Sequence, residues 1–108
     1  MAADPLRLPA GREEPAALDR EAAESLARTL RAIADPTRLQ LLSLIRRSVN
    51  AESTVGELAD HLRLTQPTVS HHLRIMVDDG LLVREQRGRH AWFSVASDRA
   101  SEIDDLLR

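Results

Sequence analysis

Residues 55–80 read VGELADHLRLTQPTVSHHLRIMVDDG, and two helical patterns on either side of a short break decide how the rest of the chain is interpreted. In the first, Val55, Leu58, Ala59 and Leu62 recur at three- and four-residue spacing, the signature of one buried face on a short helix over 55–62. Thr54, with Glu57 three residues on, supplies a capping box at its start. Arg63, Leu64 and Thr65 interrupt the pattern. Thr65 is a good N-cap for a second helix over 66–79, and Pro67 falls in its first turn, where a missing N–H does no harm. Val69, Leu73 and Met76 form the inward stripe, and Gly80 is the stop signal.

With that stripe turned inward, the opposite face of the second helix displays Gln66, Thr68, Ser70, His71 and Arg74. Solvated helix faces are usually rich in Glu and Lys, yet no acid occurs between Thr65 and Val77. Gln pairs well with adenine, Ser and Thr bond base edges or phosphate, and Arg bonds guanine or phosphate. The free N–H groups at the helix start also suit a phosphate oxygen. His72 lies nearer the buried stripe and reads as structural, whereas His71 points outward.

Downstream, residues 81–85 and 90–95 are two extended segments flanking Gln86, Arg87, Gly88 and Arg89, a hairpin with a basic tip. Arg84, Arg87, Arg89 and His90 surround Gly88, and arginines on a protruding ribbon contact phosphate or enter a minor groove. Trp92 and Phe93 fall on opposite faces of the returning strand, so one anchors the hairpin on the core. Two short helices joined by a tight turn and followed by a basic hairpin describe a helix-turn-helix with a wing.

Upstream, Leu18, Ala22, Ala23, Leu26, Ala27, Leu30 and Ile33 mark a helix of about 15 residues beginning near residue 16. Asp35 as N-cap and Pro36 at the first position restart the chain, and Leu39, Leu41, Leu42, Leu44 and Ile45 surround a central helix. Residues 48–53 are polar and read as a loop. Residues 1–15 carry Pro5, Pro9, Gly11 and Pro15 without apolar periodicity and read as a flexible arm, leaving 16–108 as the folded unit. At the far end, Ser97 is a candidate cap for a last short helix with Ile103, Leu106 and Leu107 on one side. The fold class expected is mainly α with a small β-hairpin, in the order α-α-α-α-β-β-α. The first and last helices add nothing to the reader, so Leu26, Leu30, Ile103, Leu106 and Leu107 are assigned to a homodimer interface. Pairing would set two reading helices on two-fold related half-sites.

Composition agrees and excludes much else. A chain of 108 residues is one domain, and with only Trp92 and Phe93 as aromatics its core rests on aliphatic side chains. The formal charge is -2, yet residues 61–90 hold 5 Arg against 3 acids and all four His, so the positive surface is local. The absence of cysteine removes disulfides, thiolate metal sites and cysteine nucleophiles. No phosphate-cradling glycine loop or oriented histidine suggests an enzyme. No run is long enough to span a bilayer, and Asp4, Pro5 and Pro9 interrupt any secretory signal, so a cytoplasmic location is expected. The competing interpretation is a winged helix that uses the same face to bind protein without reading DNA.

Ala34-Asp35-Pro36-Thr37-Arg38-Leu39-Gln40-Leu41-Leu42, Val55-Gly56-Glu57-Leu58-Ala59, Gln66-Pro67-Thr68-Val69-Ser70-His71-His72-Leu73 and Gly88-Arg89-His90 resemble the ArsR/SmtB family, and its actinobacterial members in particular. The resemblance runs from about Leu18 to Val95. It implies a homodimeric winged-helix repressor of double-stranded operator DNA, released by an inducer, with DNA reading at Gln66, Thr68, Ser70 and His71. It carries the family's metal sites poorly. Thr54 and Gly56 stand where the arsenic- and zinc-type site needs cysteines, and Ser97 and Arg99 stand where the last-helix site starts with Asp and His. No metal or other cofactor is therefore expected. A weak site among Asp98, Glu102, Asp104 and Asp105, or one built from His61, His71, His72 and His90, is the alternative for a metal inducer.

Overall fold

In the computed structural model, which describes residues 17–108, the chain runs as α1 (Arg20–Ile33), α2 (Pro36–Arg47), β1 (Glu52–Thr54), α3 (Val55–Leu62), α4 (Gln66–Asp78), β2 (Leu82–Arg87), β3 (His90–Val95) and α5 (Ala100–Leu106). The arm assigned to residues 1–15 lies outside the described residues.

Local chemistry sets the helix boundaries. α1 begins where Asp19 accepts a hydrogen bond from the Ala22 amide at 2.8 Å, so it starts at Arg20, beyond the residue-16 start expected from periodicity. α2 begins as expected, with Asp35 Oδ2 accepting from the Arg38 amide at 3.1 Å and Pro36 at the first position. At α3 the capping box closes both ways: the Glu57 amide donates to Thr54 Oγ1 at 3.2 Å, and the Thr54 amide donates to Glu57 Oε1 at 3.0 Å. The turn that follows holds Arg63 at φ 57° and passes the Leu64 amide to the Ala59 carbonyl. α4 opens on Thr65, whose Oγ1 accepts from the Thr68 amide at 3.3 Å. It closes in a Schellman motif, with the Gly80 amide on the Val77 carbonyl and the Leu81 amide on the Met76 carbonyl. Gly80 sits at φ 76°, a conformation that would strain any side chain.

The helices bury one aliphatic core. Leu41, Leu42 and Ile45 of α2 meet Leu58 of α3, and Val69, Leu73 and Met76 of α4 fill the space beside Leu81, Phe93 and Val95. Each fully buried Leu or Ile contributes about 1.5–3 kcal/mol relative to exposure. The core leaves the outward face of α4 free.

The sheet is antiparallel with strand order β1-β3-β2. The hairpin expected from the sequence is present, but its turn is shorter than the four residues anticipated. Arg87 pairs with His90, leaving Gly88 and Arg89 as the two turn residues, with Gly88 at φ 59°. The third strand, β1, replaces part of the loop expected at residues 48–53, pairing Glu52 with Ser94, Ser53 with Phe93 and Thr54 with Trp92. Ser53 turns inward, and its hydroxyl is satisfied by Ser48 Oγ at 2.7 Å.

α5 departs from expectation in two ways. Ser97 does not cap it: the helix begins after Arg99, and no side chain caps its first turn. Ile103, assigned to a dimer interface, is fully buried within its own chain, and Leu107 packs partly against the same core. The correction has a simple cause. A seven-residue helix must dock on its own domain before it presents anything outward, and Ile103 is the residue that docks it.

Candidate nucleic-acid interface

Gln66, Thr68, His71 and Arg74 are all exposed along α4, and Ser70 is half-buried toward the wing. Thr68 is held at the helix start by a hydrogen bond from Thr65 Oγ1 to its own Oγ1 at 2.9 Å. His72 instead leans toward the cap of α2, its Nδ1 4.0 Å from Asp35 Oδ2, in keeping with a structural place beside the buried stripe. That contact couples the middle of α4 to the start of α2. Asp35 lies below the usual carboxylate range, chiefly because the Arg38 amide donates to it, with His72 and Arg38 adding favourable charge.

Strand alternation sorts the basic residues of the wing. The pairs Leu82–Val95, Arg84–Phe93 and Gln86–Ala91 share the face that meets the core, so Arg84 faces α4. Val83–Ser94, Glu85–Trp92 and Arg87–His90 share the other face, to which Glu52 and Thr54 of β1 also belong. Phe93 is therefore the anchor and Trp92 the outward aromatic. On the α4 side, two adjoining hollows of about 290 and 380 Å³ share Val55, Arg84 and Ala91 and form a groove between the helix-turn-helix and the wing. Ser70 and Arg74 line one part, and Gln66 and Arg89 the other.

Among the described residues, Arg74, Arg84 and Arg89 have no carboxylate within ion-pair distance; Arg84 donates only to Gln86 Oε1 at 2.9 Å. Arg87 is differently placed. It bonds Glu52 through both terminal nitrogens and Glu85 through Nε, while its Cζ lies 5.0 Å from the Trp92 ring centroid. Arg84, Arg87 and Arg89, grouped by their place around the turn, separate by strand register: counting by twos back from the turn puts Arg87 and Arg84 on opposite faces.

The assigned dimer residues split in a similar way. Leu30 and Leu106 are exposed, Leu26 is half-buried, and Ile103 is enclosed. Leu18, more exposed than any of these, also flanks α1.

The family's two familiar metal positions do not fit a metal in this chain. Thr54 is engaged in the α3 cap, and Gly56 has no side chain. Arg99 donates to the buried Thr29 hydroxyl and lies 3.8 Å from Glu102, bracing α5 against α1. Among the described residues, no three His, Asp or Glu side chains converge as a ligand set.

A winged helix-turn-helix whose reading helix carries no acid from Gln66 through Val77, beside an arginine-lined groove, defines a DNA-binding regulator. Comparison with known proteins agrees. The model of the family described as "Bacterial regulatory protein, arsR family" matches residues 35–83. The chain is 36% identical over 96 residues to the HTH-type transcriptional regulator NmtR of Mycobacterium tuberculosis, spanning 88% of this chain and 78% of that protein. It is 39% identical over 85 residues to a probable mercury resistance operon repressor of Streptomyces lividans, spanning 79% of this chain and 66% of that one. Among solved structures, a homodimeric winged helix-turn-helix DNA-binding domain from Mycobacterium bovis superposes with a TM-score of 0.66 at 25% identity, covering 87% of this chain and 83% of that one. The protein belongs to the ArsR family of bacterial regulatory proteins. It is a DNA-binding transcriptional regulator, not an enzyme. No helix among the described residues is long and apolar enough to cross a membrane.

Proposed function

We propose that the chain is a cytoplasmic, homodimeric repressor that reads an operator with two-fold related half-sites and leaves it when an effector binds. The observation that carries this reading is the outer face of α4, free of acids from Gln66 through Val77, opening onto a groove whose Arg74, Arg84 and Arg89 have no carboxylate within ion-pair distance among the described residues. Gln66, Thr68, Ser70 and His71 then read base edges or the adjacent phosphates, Arg74 and Arg84 hold backbone phosphate in the groove, and Arg89 at the wing tip reaches the neighbouring minor groove. Dimerisation is supported by the exposed Leu30 and Leu106, with half-buried Leu26 one turn before Leu30 on α1, and by the homodimeric state of the Mycobacterium bovis relative. Neither metal position fits, so the effector is assigned to chemistry other than thiolate coordination.

The test is a mobility-shift titration on the duplex upstream of the protein's own gene, with a scrambled duplex as control. Binding to the first, weakened by added salt and by Ser70→Ala combined with His71→Ala, is the expected result. A folded dimer that shifts neither duplex at low salt would overturn the reading in favour of a protein-binding winged helix. Adding zinc, nickel, cobalt, cadmium or arsenite to the complex tests the effector; release by zinc or nickel would return attention to the histidines and the acidic last helix.

A further inference from the structure

The outer face of the wing holds an ionic bridge that DNA recognition as described above leaves unused. Arg87, at the end of β2, reaches across the central strand β3 to Glu52 at the start of β1. Its guanidinium passes over Trp92 on the way, 5.0 Å from the ring centroid. Glu85, two residues back on the same face, accepts a hydrogen bond from Arg87 Nε through its Oε1. The carboxylate at the far end is well shielded: the Glu52 side chain is 18% exposed. Arg87 is driven above its ordinary value and Glu52 below its own, each chiefly by the hydrogen bonds between them.

Two consequences follow from this placement. First, Arg87 has little left to offer a phosphate. Its three kinds of nitrogen are bonded to carboxylates, and one π face is covered by Trp92. Second, the bridge spans the whole sheet and ends next to the reader. Glu52 is two residues before Thr54, the N-cap of α3, so the β2 edge of the wing is tied to the short strand that leads directly into the helix-turn-helix.

We propose that Arg87 is a positioning residue for DNA binding, a latch through Glu52 and Trp92 that fixes the wing against the start of α3 and makes no phosphate contact itself. The proposal rests on the operator-reading function above. By holding the Gly88-Arg89 turn in one place relative to α4, the latch removes an ordering cost that would otherwise fall on binding.

The sign of one substitution separates the latch from simple charge. On charge alone, Glu52→Gln removes an acid and frees an arginine, so it should tighten DNA binding. The latch requires the opposite: affinity for the operator falls about fivefold, the scale of a lost ion pair of this exposure. Trp92 is the only tryptophan in the chain, so its emission and its quenching by acrylamide report the latch without DNA. Glu52→Gln and Arg87→Ala should both increase quenching, the double variant should bind no worse than either single one, and Arg87→Ala should leave the salt dependence unchanged. The swap Glu52→Arg with Arg87→Glu should recover much of both signals. The latch is overturned by operator binding that is unchanged or tighter in Glu52→Gln. A fall of about one in the salt slope for Arg87→Ala also overturns it, since that marks a lost phosphate contact. Failure of the parent chain to bind operator at all would instead overturn the site reading, and the latch's role in binding with it.

Discussion

Arg46 grips Asp104 through two parallel hydrogen bonds, Nε to Oδ1 at 2.8 Å and Nη2 to Oδ2 at 2.6 Å, and so ties α2 to α5. Those bonds, more than any other influence, hold the Asp104 carboxyl below its ordinary range, as the Arg87 bonds do for Glu52 and the Arg38 amide does for Asp35. All three shifts have the same sign. A depressed folded-state pKa adds stability that is complete above the unfolded carboxylate value, about 4, and is lost as pH falls through the folded value. The urea midpoint should therefore hold steady from pH 7 to about 5 and decline below about 4. Asp104→Asn should lower the neutral-pH midpoint and flatten part of that decline. An acid limb identical to the parent's would show that the Arg46 pair contributes nothing.

Ile103 and Leu106 stand three residues apart on α5 and should behave oppositely. Ile103→Ala leaves a hole in the chain's own core and should cost roughly 3 kcal/mol in urea unfolding. Leu30→Ser with Leu106→Ser should leave the far-ultraviolet circular dichroism intact while raising the dimer dissociation constant more than about tenfold, a loss of about 1.4 kcal/mol in association. Sedimentation equilibrium over a concentration series distinguishes the two. Unaltered association in the Leu30 and Leu106 variant would move the interface elsewhere.

Base reading and phosphate holding separate on salt. Ser70→Ala with His71→Ala should weaken operator binding about tenfold or more while sparing binding to a scrambled duplex, because base-edge contacts carry specificity. Arg89→Ala should weaken both duplexes and lower the salt slope by about one. Fluorescence anisotropy from roughly 50 to 200 mM salt covers the useful range. Equal losses on both duplexes for the Ser70 and His71 pair would remove them from the reading surface.

The parts of this fold that were legible in the sequence are those fixed by neighbours in the chain. Asp35-Pro36, the Thr54 and Glu57 box, Thr65 and Gly80 each satisfy or terminate a helix within a few residues, and each was found where local chemistry placed it. The illegible parts depend on distant partners. Glu52-Ser53-Thr54 is too short and polar to show strand periodicity, and becomes a strand because β3 has a free edge for it. Whether an apolar residue of α5 faces its own core or a second chain is not written in its spacing, so Ile103 and Leu106 looked alike. The Arg99 bond to Thr29 joins residues 70 apart in sequence. For the site, composition marked the α4 face and the wing, but sorting Arg84 from Arg87 needed the strand register.

The N-cap of the reading helix links stability to recognition. Thr65 Oγ1 accepts from the Thr68 amide at 3.3 Å and donates to Thr68 Oγ1 at 2.9 Å, ordering the turn that carries Gln66 and Thr68. Thr65→Ala removes both bonds and should cost about 1 kcal/mol of folding stability. Fraying of the first turn should then weaken operator binding more than binding to scrambled DNA, because Gln66 and Thr68 lose their fixed position while the wing arginines keep theirs. Thr65→Ser retains a capping hydroxyl and should behave like the parent in both assays. Amide exchange at Thr68 gives a direct measure, faster in the alanine variant and unchanged in the serine one. If Thr65→Ala weakens both duplexes equally, the first turn of α4 holds phosphate instead of reading bases, and specificity must lie further along, at Ser70 and His71.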